Sequence, residues 1–209
     1  IVVMFITFLM LAIHALEPEQ SEPASSSPSS EEMTNGEVVR KAQAGDEASF
    51  NTLYHSYSTQ IYRHLLRMVG NHEDASDLVT ETFLKAWRGL SSLDNVLRFR
   101  SWLFSIATHT ALDFLRQRRV SQHSLDCLDE DPIDGNAAKF VGRLEERELV
   151  RLALQQVSPK PLACLLLQLE GFKLTEIAEL VGLGKNSAGM YVSIAREQFR
   201  QAYKRLENL

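Results

Sequence analysis

The sequence predicts an all-α protein made of two small helical domains joined by a flexible acidic linker. Apolar residues recur at steps of three and four in both halves of the 209-residue chain, and no stretch alternates convincingly as a strand. Charge divides by segment: net −5 over 1–36, +2 over 37–120, −4 over 121–142 and +2 over 143–209. Two mildly basic blocks thus flank an acidic spacer, a pattern suited to modules that touch polyanions through a connector that avoids them. The composition, 44% apolar and 23% charged, is that of an ordinary globular protein with a sizeable core. A net charge of −5 excludes a uniformly basic nucleic-acid coat. Two cysteines, Cys127 and Cys164, cannot supply a disulfide framework, so a reducing cytoplasm is expected.

Residues 1–16 are nearly all apolar, but a helix of that length spans about 24 Å against a hydrocarbon layer of about 30 Å. No Lys or Arg precedes the run, so it lacks the positive start of a secretory signal. Residues 17–36 are rich in Ser, Pro and Glu and have too little apolar surface to order themselves. The segment 1–36 is therefore read as disordered, or as an upstream extension of a frame that begins at Met33. A weak membrane tether is the alternative, and stable membrane anchoring is not expected.

The first block, 37–120, opens with Phe50, Leu53, Tyr54, Tyr57, Ile61, Leu65 and Met68 on one helical face. Gly70 and Asn71 break that helix. A second apolar stripe runs from Ala75 to Trp87 and ends at Gly89, with Asp77, Glu81, Lys85 and Arg88 on its other face. After a loop, 101–119 carry Leu103, Ile106, Ala107, Ala111 and Phe114 on one side and His109, Asp113 and Arg116 on the other. Residues 121–142 read as linker. The second block, 143–209, contains one amphipathic helix, a Ser158-Pro159 helix start, an apolar run through ACLLLQL that holds Cys164, and a stop at Gly171. Its last part, LTEIAELVGLGKNSAGMYVSIAREQFRQAYKRL, has the pattern of a helix-turn-helix with Gly182 at the corner.

The order of pieces in FNTLYHSYSTQIYRHLLRMVGNHEDASDLVTETFLKAWRGL and FRSWLFSIATHTALDFLRQRR resembles domain 2 of the extracytoplasmic-function (ECF) sigma factors of bacterial RNA polymerase, within the sigma-70 family. TEIAELVGL stands where domain 4 of that family has its helix-turn-helix. The resemblance implies a factor that binds core RNA polymerase, opens the −10 element with domain 2 and grips the −35 element with domain 4. It also implies promoter DNA as a partner and an anti-sigma factor as regulator. Asp77, Thr80, Glu81, Leu84, Lys85 and Arg88 become the polymerase-binding candidates, although the same stripe suits a plain solvated face.

Strand opening needs groups that hold phosphates and groups that receive unstacked bases. Residues 98–119 concentrate both: Arg98, Arg100, Arg116, Arg118 and Arg119 stand against the single Asp113, and Phe99, Trp102 and Phe104 interleave with the first two. The −10 candidates are these five arginines with Phe99, Trp102, His109 and Asp113. Trp102 suits a core position as well as a stacking platform, Arg116 and Asp113 suit a helix-bracing pair, and His109 suits an ordinary surface site. In the family, the loop before this helix captures a flipped-out base, which brings Leu93 to Arg100 into consideration.

The chain departs from the family pattern at Thr80, where Gln is usual, and at His109, where Asn is usual. In the presumed reading helix, Gly189, Tyr191 and Ile194 stand at three basic positions, which removes Arg readout of guanine there. The −35 candidates are Lys185, Asn186, Ser187, Met190, Ser193, Ile194, Arg196 and Arg200, with shape and apolar thymine contacts in place of guanine readout. No phosphate loop or nucleophile motif is present, so no catalysis and no cofactor are expected. His123 and Cys127 are spaced for zinc, but no second Cys follows within reach, and no metal is expected. The competing functions are a helix-turn-helix repressor that works without polymerase, and a sigma-like protein with altered −35 readout.

Overall fold

A computed structural model describes residues 30–125, 146–184 and 186–207, with side chains over 36–120, 148–184 and 186–207. The described residues are helical throughout, without a strand. The first block holds α1 (Ser30–Gln43), α2 (Glu47–Val69), α3 (His72–Gly89), two 3₁₀ turns (Leu90–Ser92 and Val96–Arg98) and α4 (Phe99–Leu125). The second holds α5 (Glu146–Gln155), α6 (Pro159–Leu169), α7 (Leu174–Val181) and α8 (Ser187–Glu207). No helix among them is long and apolar enough to cross a membrane. Residues 1–29, and with them the apolar run 1–16, lie outside the described residues, as do residues 126–145, which hold most of the expected linker 121–142.

The boundaries follow local chemistry. The side chain of Asp46 caps α2 by accepting from the Ser49 N–H at 3.0 Å. Gly70 ends α2 in the left-handed region at φ 74°, its N–H donating to the Leu66 carbonyl at 2.8 Å. Asn71 Oδ1 then accepts from the Glu73 and Asp74 amides and starts α3. Proline at its first position starts α6.

Two expectations about the ends of the first block are corrected. Residues 30–36, read as disordered, form the first half of α1: Ser followed by two Glu is favourable helix-start chemistry, and the buried Val39 and Ala42 anchor the same helix. Likewise α4 continues five residues past 120, through Leu125, since VSQHSL contains neither Gly nor Pro to end it.

Leu53, Ile61 and Leu65 of α2, Phe83 of α3, and Leu103 and Phe104 of α4 fill the centre of the first block. Each such side chain contributes about 1.5–3 kcal/mol by leaving water. Ala75, Ala86, Ala107 and Ala111 are fully buried and let the helices approach closely.

Helix α6 is buried at every position from Pro161 to Leu167, Cys164 included. A short helix that is apolar all round needs neighbours all round. It packs on α7 and α8 of its own block and on α2 and α4 of the other, so the buried residues of both blocks form one continuous cluster.

The joint between the blocks is tight at Gly70. Its carbonyl accepts from Arg151 Nη1 at 3.2 Å and from Gln155 Nε2 at 3.3 Å, and a Cβ at residue 70 would fall 1.7 Å from that Gln155 nitrogen. Gly182, at φ 67°, has nothing within 4 Å of the same added atom. Gly182→Ala is expected to cost about 1 kcal/mol, the left-handed backbone penalty alone. Gly70→Ala is expected to cost more, because Gln155 must also move and its bond to the Gly70 carbonyl is put at risk. Urea unfolding of both variants checks the difference.

Candidate functional site

Helix α3 places Asp77, Thr80, Glu81, Leu84, Lys85 and Arg88 on one exposed face, as its apolar stripe requires. Leu84 is 50% exposed. Lys85 is held between two partners, Glu81 Oε1 at 2.7 Å and the hydroxyl of Thr110 on α4 at 3.1 Å, so its charge is turned toward the bundle. Beside this face lies a groove of about 540 Å³ walled by Phe50, Tyr54, Phe83, Leu84 and Trp87. Sequence reasoning assigned those rings to the core. The stacked ring edges of Phe50 on Trp87 (4.7 Å) and Tyr54 on Phe83 (4.7 Å) leave Tyr54 and Trp87 each 37% exposed along it.

The −10 candidates separate into three groups. Phe99 is 2% exposed and packs its ring edge against Tyr57 at 5.5 Å, and Phe104 is fully buried, so neither presents a face to a base. The helical stripe through Leu103 and Ala107 turns both rings inward, which corrects the expectation for Phe99. Trp102 is half-buried, with its indole beside Gly89 and its ring 6.0 Å from Phe99. His109, Asp113, Arg116, Arg118 and Arg119 are exposed along the outer edge of α4. Arg116 braces Asp113 at 2.9 Å and Arg118 reaches Asp74 at 3.4 Å. His109 Nδ1 lies 2.9 Å from the Ser105 carbonyl.

Arg98 and Arg100 form the third group, and both reach the second block. Arg98 Nη2 pairs with Glu179 Oε2 on α7 at 2.6 Å. Arg100 Nη2 donates to the Glu170 carbonyl at 2.8 Å, and its guanidinium lies over the rings of Phe104 (5.1 Å) and Phe172 (4.4 Å). Those two rings meet edge to face at 5.2 Å. The hydroxyl of Ser105 donates to the Leu180 carbonyl at 3.0 Å, and Arg67 pairs with Glu170 Oε1 at 3.2 Å. None of these pairings was foreseen from sequence.

In the second block, α7, the left-handed corner at Gly182 and α8 form the expected helix-turn-helix. On α8 the exposed large apolar side chains are Met190 (56%) and Ile194 (38%), with Asn186 and Ser193 exposed nearby and Ser187 half-buried. Arg196 turns toward α6, donating to Gln168 Oε1 at 3.1 Å, and Arg200 pairs with Glu197. Lys185 lies outside the described residues, as do Cys127 and the side chain of His123. Among the described residues no group of three His, Cys, Asp or Glu is placed to hold a metal.

Residues 53–120, from α2 through most of α4, match the family described as Sigma-70 region 2. The ECF RNA polymerase sigma factor BldN of Streptomyces coelicolor is 30% identical over 164 residues, 77% of this chain. The chain is similar to the ECF sigma factors. The match spans 61% of the length of BldN, and 93% of the ECF sigma-E factor of Escherichia coli K12, which is 28% identical over 80% of this chain. Two solved structures share the fold of this chain. The sigma factor RpoE of Bartonella quintana, solved in complex with the anti-sigma factor NepR, aligns with TM-score 0.59 at 22% identity, covering 74% of this chain and 96% of that one. CnrH, solved in complex with the cytosolic domain of CnrY, aligns with TM-score 0.53 at 21% identity, covering 81% and 97%.

Behind the Arg100 contact, the protein buries a histidine completely. His64 Nε2 lies 3.0 Å from the Thr108 hydroxyl, its ring edge packs on Phe104 at 5.4 Å, and its Nδ1 has no partner. Burial, aided by the charge of Arg67, lowers its pKa from 6.5 to about 3. The unfolded chain therefore binds a proton that the folded chain refuses between these values. The stabilising contribution is complete above pH 6.5 and declines as pH falls toward 3. From pH 7 to pH 5 the loss is about 2 kcal/mol, at about 1.4 kcal/mol per unit below 6.5. Denaturant unfolding of wild type and His64→Gln at both pH values checks this, and the gap between them is expected to shift by that amount in favour of the variant at pH 5.

Proposed function

We propose that the chain is a transcription initiation factor that binds core RNA polymerase through the exposed face of α3 and the adjoining aromatic groove. It opens the −10 element along α4 and positions the −35 element on α8. The observation that carries this reading is the juxtaposition on the family-matched segment: a charged stripe from Asp77 to Arg88 lies against an apolar groove, with Leu84 belonging to both. A charged rim around an apolar centre is the usual anatomy of a protein docking surface. A repressor acting without polymerase leaves this surface without a purpose.

The exposed arginines at the far end of α4, Arg116, Arg118 and Arg119, supply phosphate contacts, and Trp102 with the preceding loop lies nearest to an unstacked base. On α8, Ile194 projects from one of the positions that are basic in the family pattern, with Met190 exposed one turn before it. Arg200 and Lys185 supply phosphate contacts, and Arg196 supports the helix from Gln168. The chain carries out no chemistry of its own: the polymerase makes the RNA. It works in the cytoplasm, with an anti-sigma protein as regulator.

Leu84→Asp is expected to weaken binding to core polymerase about tenfold or more, the cost of a charged group at the centre of an interface, with helix content unchanged. Pull-down against immobilised core enzyme, followed by run-off transcription, measures it. Binding at wild-type strength refutes the α3 surface. Met190→Ala and Ile194→Ala are expected to change the ranking of promoters with different −35 sequences in the same transcription assay. An unaltered ranking rejects apolar readout by α8.

A further inference from the structure

The end of α2, the later turns of α4 and helix α5 meet the start of α6 around a cavity of about 480 Å³. That volume lies within the range of sites that hold small organic ligands. Three arginines line it, Arg118 and Arg119 from α4 and Arg151 from α5, and no carboxylate does. Met68, Leu115, Val157 and Leu162 give it an apolar wall. The N-terminus of α6, at Pro159, adds the positive pole of a helix.

The arginines keep donors to spare. Arg118 makes one long contact, at 3.4 Å to Asp74 on α3. Arg119 is exposed, and among the described residues no carboxylate pairs with it. Arg151 commits three of its five N–H groups, two to Glu148 and one to the Gly70 carbonyl, and keeps the others. Those bonds fix its guanidinium in advance, which lowers the entropic cost of taking a ligand. Asp74 and Glu148 offset two of the three positive charges from outside the cavity wall, so one remains in excess.

We propose that this cavity binds a small organic polyphosphate of the nucleoside di- or triphosphate class. Guanidinium forks hold phosphate oxygens in pairs, and a ring covers the apolar wall. A free phosphate ion fills little of the volume and leaves that wall wet, whereas a purely apolar ligand leaves three guanidinium groups facing it. A molecule carrying both parts matches both walls. Because the arginines come from both blocks, the bound molecule ties α4 to α5 and stabilises the folded chain. Arg118 and Arg119 also serve the −10 surface proposed above, but the cavity does not depend on that reading.

The test is calorimetric titration of the full chain with ATP, tripolyphosphate and adenosine at one fixed ionic strength. ATP is expected to bind about tenfold tighter than tripolyphosphate, which lacks the ring, or adenosine, which lacks the charge. It is also expected to raise the melting temperature. Arg119→Gln and Arg151→Gln are each expected to weaken ATP about tenfold, the loss of one charge-assisted hydrogen bond. Arg119→Gln keeps the test decisive should the Arg151 change loosen the joint at Gly70. Lys41→Gln, the same charge change at an exposed position on α1, is expected to match wild type. An equal loss in Lys41→Gln overturns the proposal, since ATP would then respond to net charge alone. Tripolyphosphate binding as tightly as ATP overturns it too, because the apolar wall would hold nothing, and so does the absence of ATP binding at millimolar concentration.

Discussion

The guanidinium of Arg100 is the point at which the two halves of this chain depend on each other. It lies against the rings of Phe104 and Phe172, which also touch each other, and donates to the carbonyl that ends α6. Cation–π attraction, a charge-assisted hydrogen bond and the helix dipole act there on one group. Behind it, Phe104 packs on the buried His64, and beside it Glu170 reaches Arg67. The continuous apolar cluster through α6 gives the arrangement its bulk, but the directional interactions that fix α4 against the turn before α7 converge on this residue and its neighbours.

The same helix therefore answers to two demands. An apolar stripe must face the bundle, which accounts for Leu103, Phe104, Ala107 and Ala111. The remaining face carries Arg116, Arg118 and Arg119, the phosphate contacts of the proposed −10 surface. Because the stripe takes both Phe99 and Phe104, Trp102 is the one of these three rings with a partly open face. The basic surface is correspondingly more electrostatic and less aromatic than composition alone suggests.

How much could be read from the sequence differs by kind of information. Periodicity located α2, α3, α4 and the helix-turn-helix, since each buries one face, and Gly70, Gly89 and Gly182 marked three of the breaks. It also placed the exposed stripe on α3, which follows from the buried one. Composition misread 30–36, where Ser and Glu suggest disorder although they also make a good helix start, and the reason to fold lies downstream in Val39 and Ala42. The end of α4 was missed because nothing there stops a helix. The pairings of Arg98 with Glu179 and of Arg100 with Glu170 and Phe172 join residues 70 or more positions apart, and no local pattern records them. One signal was available: the nearly unbroken apolar run PLACLLL in so short a helix as α6 asks for neighbours on every side.

The charged pair on the rim of the joint, Arg98 with Glu179, is more than half exposed, whereas the Arg100 guanidinium lies against two rings. At physiological ionic strength the screening length is about 8 Å, so dissolved salt weakens the rim pair far more than the ring contact. Added electrolyte therefore acts on the perimeter of the joint and leaves its ring-held centre as it is.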